Sequence, residues 1–308
     1  MITTYYSKAR ERALQNIATP RIGSWIVAIE PTEAELDQLA EDFKLDRDSL
    51  NDATDLYESP RIEIDEGVVY IFTRYCHPEG EEIATEPLLI IYSADHVFTI
   101  VRDNSTVLER MTTDRIDVVT TQKTKTLLQI LGEINYSYER QLNRVAKRIL
   151  QLRARMRQAS ISNREFIGII ELEEDLNEFL SALQPQALLL TSLLSGKYLK
   201  LYEQDRDIIE DIEHSTSELI EQLRGRLRTL GNMREAYDAI ATTNLNNTFK
   251  RLTSIAIFLT IPTIIGGLWG MNVVIPFEHA RYAFAGVIAL IAILEVGTIW
   301  LFRRNRWL

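Results

Sequence analysis

The sequence predicts a membrane protein with an N-terminal α/β domain, a long helical stalk and two C-terminal transmembrane helices. Strand-like alternation of apolar and polar residues is confined to about the first 120 residues, and apolar residues recur at helical spacing after them. Residues 252–269 contain no charged side chain, and residues 282–302 contain one, Glu295. Each segment is close to the roughly 20 residues that a helix needs to cross a bilayer.

The N-terminal region alternates strands with helices. Residues 24–30 read as a strand, and the next segment as a helix in which Thr32 is the N-cap and Glu35 completes a capping box. Residues 59–75 and 87–103 each contain two apolar runs around a short polar turn, which is typical of β-hairpins. Strand pairs with intervening helices predict a mixed sheet rather than a doubly wound parallel one.

After about residue 122 the pattern becomes helical. A coiled-coil-like seam is formed by Leu127, Leu131, Ile134, Tyr138, Leu142, Val145, Ile149, Leu152 and Met156. A break at residues 159–163 separates this helix from a second one. If the two fold back antiparallel, an acidic run lies opposite a basic run: Glu171, Glu173, Glu174, Asp175 and Glu178 against Arg144, Lys147 and Arg148. These charges either hold the hairpin through exposed salt bridges or attract ions.

A third helical stretch begins near Lys197 and contains no proline before Pro262. If it continues to Trp269 it has about 70 residues, or on the order of 105 Å at 1.5 Å per residue. The sequence therefore divides into four parts: an α/β domain (1–120), a helical hairpin (121–196), a stalk helix (197–251) and a transmembrane domain (252–308), with spans 252–269 and 282–302 and an outer loop 270–281.

The flanks of the two spans predict their orientation. Basic residues lie where both spans meet the rest of the chain: Lys250, Arg251, Arg303, Arg304 and Arg306. The loop between the spans contains one basic residue, Arg281, and one acidic residue, Glu278. The positive-inside rule then places both termini in the cytoplasm and makes this a multi-pass protein of the cell membrane, inner or plasma, whose acidic N-terminal part is intracellular.

Composition and motifs argue against several other classes of protein. The net charge of -10 argues against binding nucleic acid through a general positive field. One cysteine, Cys76, excludes a disulfide framework and the cysteine-rich zinc motifs. The sequence has no GxxxxGK[ST], no GxGxxG after a strand, no GxSxG and no HExxH. We therefore expect neither an enzyme nor a nucleic-acid-binding protein.

The loop between the spans begins with the sequence WGMN at residues 269–272, and the second span is followed by RRNRWL. With the α/β domain, helical hairpin and stalk in this order, the chain resembles the CorA family of divalent-cation channels over essentially its whole length. The resemblance implies transport of Mg²⁺, with Co²⁺ and Ni²⁺ as further candidates. It also implies a funnel-shaped homopentamer in which the first span of each chain lines the pore.

The chemistry of the GMN motif fits such a channel. Mg²⁺ is small and gives up its water reluctantly, so a ring of asparagine oxygens can accept hydrogen bonds from the hydrated ion. Carboxylates at this point would hold the dication too tightly for rapid exit. Gly270, Met271 and Asn272 are thus the predicted selectivity residues, although asparagine is also common at helix C-termini. Glu278 in the same loop would add a weak attraction.

The resemblance also assigns a pore face to the first span. Matching the family at GMN, the pore-lining positions are Asn246, Phe249, Leu252, Ala256, Thr260 and Thr263, which share one face at helical spacing. Asn246 would form a polar ring at the cytoplasmic end, Phe249 and Leu252 an apolar constriction that gates by dewetting, and the threonines hydroxyl rings. Family members often have methionine where this chain has Phe249 and Thr260. Ordinary packing between membrane helices would produce the same stripe.

An acidic band lies at the start of the stalk: Asp205, Asp207, Glu210, Asp211 and Glu213. In the family, regulatory Mg²⁺ bound between neighbouring subunits by a stalk aspartate keeps the channel closed. Matched without gaps from GMN, that position is Asp211, with Asp207 and Glu210 beside it. Mg²⁺ would then be both substrate and regulator. A simple solvated face is the alternative interpretation of this band.

Two other functions are compatible with parts of the sequence. A ZntB-like zinc transporter, proton-coupled or not, shares the architecture, although those relatives more often have valine in place of Met271. Glu295 keeps proton coupling open, because a carboxylate inside a membrane span is costly and by default a functional candidate. A two-span sensor or scaffold is the second alternative, but it gives no role to a polar ring at an outer helix end.

Overall fold

The computed structural model divides the chain into two compact units, Met1–Met233 and Arg234–Leu308. It describes residues 1–9, 14–79, 82–103, 105–113, 116–158, 163–272 and 281–305, and for residues 78, 79, 82, 83, 157 and 158 it describes the backbone alone. One helix, α6 Glu203–Trp269, begins in the first unit and ends in the second.

The first unit is built on a mixed sheet of seven described strands in the order β2-β1-β3-β7-β6-β5-β4. The strands are β1 Ile2–Tyr6, β2 Gln15–Asn16, β3 Trp25–Ile29, β4 Arg61–Asp65, β5 Val68–Glu79, β6 Glu82–Tyr92 and β7 Val97–Val101. Strands β3 and β7 pair in parallel, and the other neighbours pair antiparallel. The prediction of a mixed sheet is confirmed.

Both predicted hairpins form. Between β4 and β5, Glu66 and Gly67 have positive φ angles of 45° and 82°, the left-handed conformation that tight hairpin turns require. Between β6 and β7, the Ser93 amide donates to the His96 carbonyl at 3.0 Å. The Ser93 hydroxyl accepts from the His96 amide at 3.0 Å, so the side chain closes the same turn.

Two helices cover one face of the sheet: α1 Glu33–Phe43 and α2 Arg47–Asp52. The predicted capping box is present, because the Thr32 hydroxyl accepts from the Glu35 amide at 3.3 Å and Glu35 accepts from the Thr32 amide at 2.9 Å. Apolar side chains of both helices pack against this face of the sheet and form one buried cluster: Leu36, Leu39 and Leu50 with Ile26, Ala28, Leu89, Phe98 and Ile100.

Three helices form the main core together with the sheet and the first part of α6: α3 Thr106–Thr112, α4 Lys123–Gln158 and α5 Asn163–Leu194. Every residue of the predicted α4 seam from Leu127 to Leu152 is at most 9% exposed, and Met156 packs against this core. Helices α4 and α5 run antiparallel, since Tyr138 stacks edge-on against Phe179 at 5.3 Å while Arg148 bonds to Asp175 at 3.5 Å.

The predicted opposition of acidic and basic runs is only partly present. Arg148 and Asp175 form the expected ion pair between α4 and α5. Glu178 does not take part in it, because its carboxylate accepts hydrogen bonds from the Thr85 amide at 2.5 Å and the Thr85 hydroxyl at 2.9 Å. A backbone amide at a packed helix–sheet contact needs an acceptor, and Glu178 supplies it.

Helix α6 spans Glu203–Trp269 without interruption, 67 residues in all. It begins six residues later than the sequence predicted, because Gly196, with a φ of 71°, closes the turn after α5. The Asp205 carboxylate then accepts from the Tyr202 amide at 3.1 Å, at the start of the helix. At 1.5 Å per residue α6 is about 100 Å long.

The first part of α6 is fixed against α4 by apolar burial and by a polar contact. Ile209, Leu219 and Leu223 belong to the main core. Between them the Asn135 amide donates to the Ser215 hydroxyl at 2.8 Å, and the Asn135 carbonyl accepts from the Thr216 hydroxyl at 3.1 Å. Asn135 is 5% exposed and Thr216 fully buried, so this pair of bonds fixes the register of the two helices.

We expect Asn135→Ala to destabilise the first unit, because it removes both hydrogen bonds between α4 and α6, although the Thr216 hydroxyl still donates to the Ile212 carbonyl at 2.7 Å. The cost of such a loss is about 1–3 kcal/mol. The thermal unfolding temperature of the detergent-purified protein should fall by several degrees, at roughly 2–4 °C per kcal/mol for a unit of this size. Asn143→Ala, at an exposed position of the same helix, is the matched control. Equal unfolding temperatures for the two variants would contradict the role given to Asn135.

Candidate functional site

The second unit contains two helices that are long and apolar enough to span a membrane, the end of α6 and α7 Ala283–Arg304. Almost none of their apolar surface is buried inside the chain. A ring contact between them pairs Phe258 of α6 with Phe302 of α7, whose ring centroids are 5.7 Å apart. Buried helices of a soluble protein would be covered by other parts of the chain, so the exposure supports the transmembrane prediction.

The less exposed residues of this part of α6 follow one stripe that includes Phe258: Ser254, Ile257, Phe258, Ile261, Pro262 and Ile265. On α7 the matching stripe is Ala283, Val287, Ile291, Glu295, Thr298 and Phe302. Glu295 therefore lies on the α7 stripe that includes the contact residue Phe302, and not among the most exposed residues of that helix. The sequence drew attention to Glu295 but did not indicate its face.

All six predicted pore-lining residues are exposed in the single chain: Asn246, Phe249, Leu252, Ala256, Thr260 and Thr263. They avoid the stripe that includes Phe258. Two residues along a helix are about 160° apart around its axis, so Ala256 lies almost opposite Phe258. Phe249 is 56% and Leu252 63% exposed, which leaves a large apolar face of α6 without a partner in one chain. The pore role of this face stays a prediction.

Thr260 and Thr263, on the predicted pore face, both use their hydroxyl protons within the helix. Thr260 donates to the Ala256 carbonyl at 2.7 Å, and Thr263 donates to the Leu259 carbonyl at 2.6 Å. Because each hydroxyl proton is committed to the backbone, the oxygen can only accept further hydrogen bonds. Such an oxygen presents its negative end to a cation or to the water of a hydrated ion.

The GMN motif stands at the end of α6. The helix ends at Trp269, the Gly270 amide still donates to the Gly266 carbonyl at 2.9 Å, and Asn272 follows in an exposed position. The φ angle of Gly270 is not positive, so a left-handed turn does not explain this glycine. A Cβ atom at Gly270 would instead lie 3.3 Å from the Gly266 oxygen, so a close approach of backbone favours glycine here. Glu278 lies outside the described residues.

Two residues of the acidic band at the start of α6 accept hydrogen bonds within the chain. Asp205 caps the helix, and Glu213 accepts from the Ser217 hydroxyl at 3.3 Å. Asp207, Glu210 and Asp211 are exposed. In the part of the chain that the structure describes, no group of three or more His, Cys, Asp or Glu side chains is placed to hold a metal ion. A bound cation would therefore need further ligands beyond this band.

The sequence did not identify Ser254 and Phe302, the two buried side chains among the described residues after Arg234. The Ser254 hydroxyl donates to the Lys250 carbonyl at 2.8 Å, so a polar side chain is satisfied within its own helix while its small size permits close packing. In the sequence, the small side chain of Ser254, one helical turn before Phe258, could have indicated a close helix contact. The Phe302 ring, in contrast, contacts Phe258 of the other helix.

Comparisons with known proteins agree with this arrangement. A model of the CorA family, described as CorA-like Mg²⁺ transporter protein, matches residues 22–304. The chain is 26% identical over 296 residues to the cobalt/magnesium transport protein CorA of Methanocaldococcus jannaschii, covering 92% of this chain and 91% of that protein. The complete structure of the CorA magnesium transporter from that organism superposes with a TM-score of 0.87 at 23% identity, covering 100% and 99% of the two chains.

A more distant structure has a similar fold. The cytoplasmic domain of ZntB from Vibrio parahaemolyticus gives a TM-score of 0.63 at 11% identity, covering 79% of this chain and 98% of that one. This likeness concerns the fold alone. The family match, in contrast, runs from before β3 to the last residue of α7 and includes the GMN motif. The chain therefore belongs to the CorA family of Mg²⁺ transporter proteins.

Proposed function

We propose that this protein is a channel for divalent metal cations in the cell membrane, that Mg²⁺ is its main substrate, and that Co²⁺ and Ni²⁺ can also pass. The family consists of transporters and not enzymes. The observation that carries the proposal is the position of Gly270, Met271 and Asn272 at the end of a 67-residue helix that has an exposed face in its apolar part. A pore lined by that face would begin or end at Asn272.

Asn272 selects the ion in this mechanism. Its amide oxygen accepts hydrogen bonds from the water shell of Mg²⁺, so the ion does not have to lose water that it releases reluctantly. A neutral oxygen ring attracts a dication less strongly than carboxylates would, which permits release on the other side. Met271 and Gly270 position this ring, and Glu278 in the outer loop contributes only a salt-screened attraction.

The exposed face of α6 forms the rest of the pathway. Thr263 and Thr260 offer hydroxyl oxygens that can only accept, which suits a hydrated cation. Leu252 and Phe249 form an apolar constriction, where loss of water stops conduction until the pore widens. Asn246 provides a polar ring at the cytoplasmic end. Both termini lie in the cytoplasm in this arrangement, because basic residues flank the inner ends of both spans.

The channel is a homopentamer in this proposal. One α6 helix cannot enclose a pore, and its pore face is exposed in the single chain. The complete CorA structure, which the chain matches over its full length, has the same fold of the single chain. Rotational symmetry places the same face of every α6 around one axis.

Native mass spectrometry of the detergent-purified protein should give a mass of five chains of 35.5 kDa as its main species. A ring of several pore helices is needed to surround a hydrated ion, so smaller species should be products of dissociation. The measurement should be repeated at increasing protein concentration. A stable monomer or dimer as the largest species at all concentrations contradicts the pore assignment.

Cytoplasmic Mg²⁺ also regulates the channel in this proposal. Asp207, Glu210 and Asp211 are exposed, and the described chain holds no complete metal site of its own. A dication between these carboxylates and a neighbouring subunit removes the repulsion between subunits and stabilises the closed state. Loss of Mg²⁺ then favours the open state, because the ion binds the two conformations with different affinities.

We expect Asp211→Lys to weaken the protection that Mg²⁺ gives against proteolysis of the stalk, since the substitution replaces a ligand with a cation. Limited proteolysis would be measured over a Mg²⁺ titration, with Asp238→Lys as a control at another exposed position of α6. The Asp211→Lys midpoint should move to higher Mg²⁺ concentration by tenfold or more. If both variants titrate like the parent protein, Asp211 is not a regulatory ligand.

A ZntB-like zinc transporter, coupled to protons, is the second candidate. One observation favours it: the position of Glu295 on the stripe of α7 that includes Phe302. Purified protein in liposomes would be tested with Mg²⁺, Co²⁺, Ni²⁺ and Zn²⁺, each with and without a pH gradient. Uptake that requires the gradient, with Zn²⁺ preferred, would replace the magnesium channel with this candidate.

Asn272→Ala should abolish Mg²⁺ uptake while the assembly stays intact, because the lost amide is exposed and not part of a core. Asn272→Asp should bind the ion more tightly and pass it more slowly, or change the preferred ion. Uptake would be measured in liposomes at matched protein amounts. Glu278→Ala is the control in the same loop and should retain most of the uptake. Near-normal transport by Asn272→Ala, or a larger defect in Glu278→Ala, would overturn the role of Asn272.

A further inference from the structure

Four basic side chains gather around one packed contact in the second unit. Ser254 is fully buried and Phe302 is 8% exposed, and the Phe302 ring lies against Phe258. Lys250 and Arg251 lie about one helical turn before Ser254, and Arg303 and Arg304 directly follow Phe302. Two pairs of cations, one from each helix, therefore stand at the same end of the contact between α6 and α7.

None of these four cations is paired with a carboxylate of the described chain. All four are exposed, and no ion pair joins them to any described residue. The sequence contains no acidic residue from 239 to 277 and none after Glu295. Although the net charge of the chain is -10, four described cations without an ion pair to any described residue therefore lie near this contact.

Aromatic and apolar groups adjoin the cations on the side of the spans. The Arg304 guanidinium lies over the Trp300 ring, 5.4 Å from its centroid, which orients the arginine beside an indole. Tryptophan is typical of the boundary between hydrocarbon and headgroups. Ile255, 56% exposed, and Leu301, 48% exposed, continue the apolar surface from this boundary. The place combines phosphate-binding groups with a surface that acyl chains can cover.

We propose that Lys250, Arg251, Arg303 and Arg304 form a binding site for the phosphate of an anionic phospholipid in the cytoplasmic leaflet. Guanidinium groups bind phosphate oxygens in a bidentate manner, and the lysine adds a point charge. Basic groups between membrane helices on the cytoplasmic side are suited to anionic headgroups. The inference rests on the transmembrane placement in the proposed function, but not on the pore or on Asn272.

A lipid is favoured over free phosphate because the cations adjoin exposed apolar residues. A soluble phosphate would gain only the charge interaction, whereas a lipid also covers Ile255 and Leu301. Since bound lipid would contact both helices, it should stabilise their contact at Phe258 and Phe302. Lipid binding then adds to the stability of the folded state by mass action.

The test uses the full-length protein in a neutral detergent after removal of lipid. Its thermal unfolding is followed over titrations of phosphatidylglycerol, phosphatidylcholine and inorganic phosphate, and the transition without lipid shows that each variant is folded. Phosphatidylglycerol should raise the unfolding temperature saturably, and the other two should have little effect. Arg304→Gln should raise the half-saturating phosphatidylglycerol concentration several-fold, and Arg303→Gln/Arg304→Gln tenfold or more.

Arg281→Gln is the matched single-charge control at the opposite end of α7, and its titration should be unchanged. Arg303→Lys/Arg304→Lys should recover part of the binding, because the charge remains and the bidentate geometry is lost. Equal half-saturation for the parent and Arg303→Gln/Arg304→Gln would overturn the proposal. Stabilisation by inorganic phosphate alone would reassign the place to a soluble anion. Transport is not measured, so a negative result here leaves the proposed channel function standing.

Discussion

The rest of the structure depends on the hydrogen-bonding requirement of a backbone that crosses lipid. No water is available in the hydrocarbon to pair with amides and carbonyls, so each must be satisfied within the segment. Helix α6 meets this requirement with one uninterrupted helix of 67 residues. The exception is Pro262, which has no amide proton and leaves the Phe258 carbonyl without its helical donor. Phe258 and Pro262 lie on the stripe around the contact with α7 and not on the exposed face that is predicted to line a pore.

The same helix has two different surroundings along its length. In the first unit most of its large apolar residues are buried in the main core, and Asn135 fixes its register through Ser215 and Thr216. In the second unit most of its apolar residues are exposed. Apolar exposure on this scale indicates that lipid or other chains cover these surfaces. The exposed face that contains Phe249 and Leu252 is the one that a channel would place around its axis.

Charge is divided between the two units in a way that suits a cation transporter in a membrane. Residues 234–308 contain seven Lys or Arg and four Asp or Glu, although the whole chain is acidic. The negative groups of the first unit raise the local concentration of cations, and exposed carboxylates such as Asp207 and Asp211 are free of ion pairs within the described chain. The positive groups stand beside the apolar helices, where anionic lipid headgroups would lie.

The sequence by itself determined the features that depend on neighbouring residues. The capping box at Thr32 and Glu35, the turn at Glu66 and Gly67, the seam of α4 and the two apolar spans follow from spacing and residue type, because their energetics are local or periodic. The position of GMN between two terminal spans was also enough to indicate the CorA family, to which the chain belongs.

Only the tertiary structure decided the features that depend on partners distant in sequence. Glu178 bonds to Thr85, 93 residues away, instead of completing the row of ion pairs, because a backbone amide of the sheet lacked an acceptor. The sequence also did not predict on which face of α7 Glu295 lies or that Ser254 is buried. Helical spacing shows which residues share a face, but not which part of the protein that face contacts.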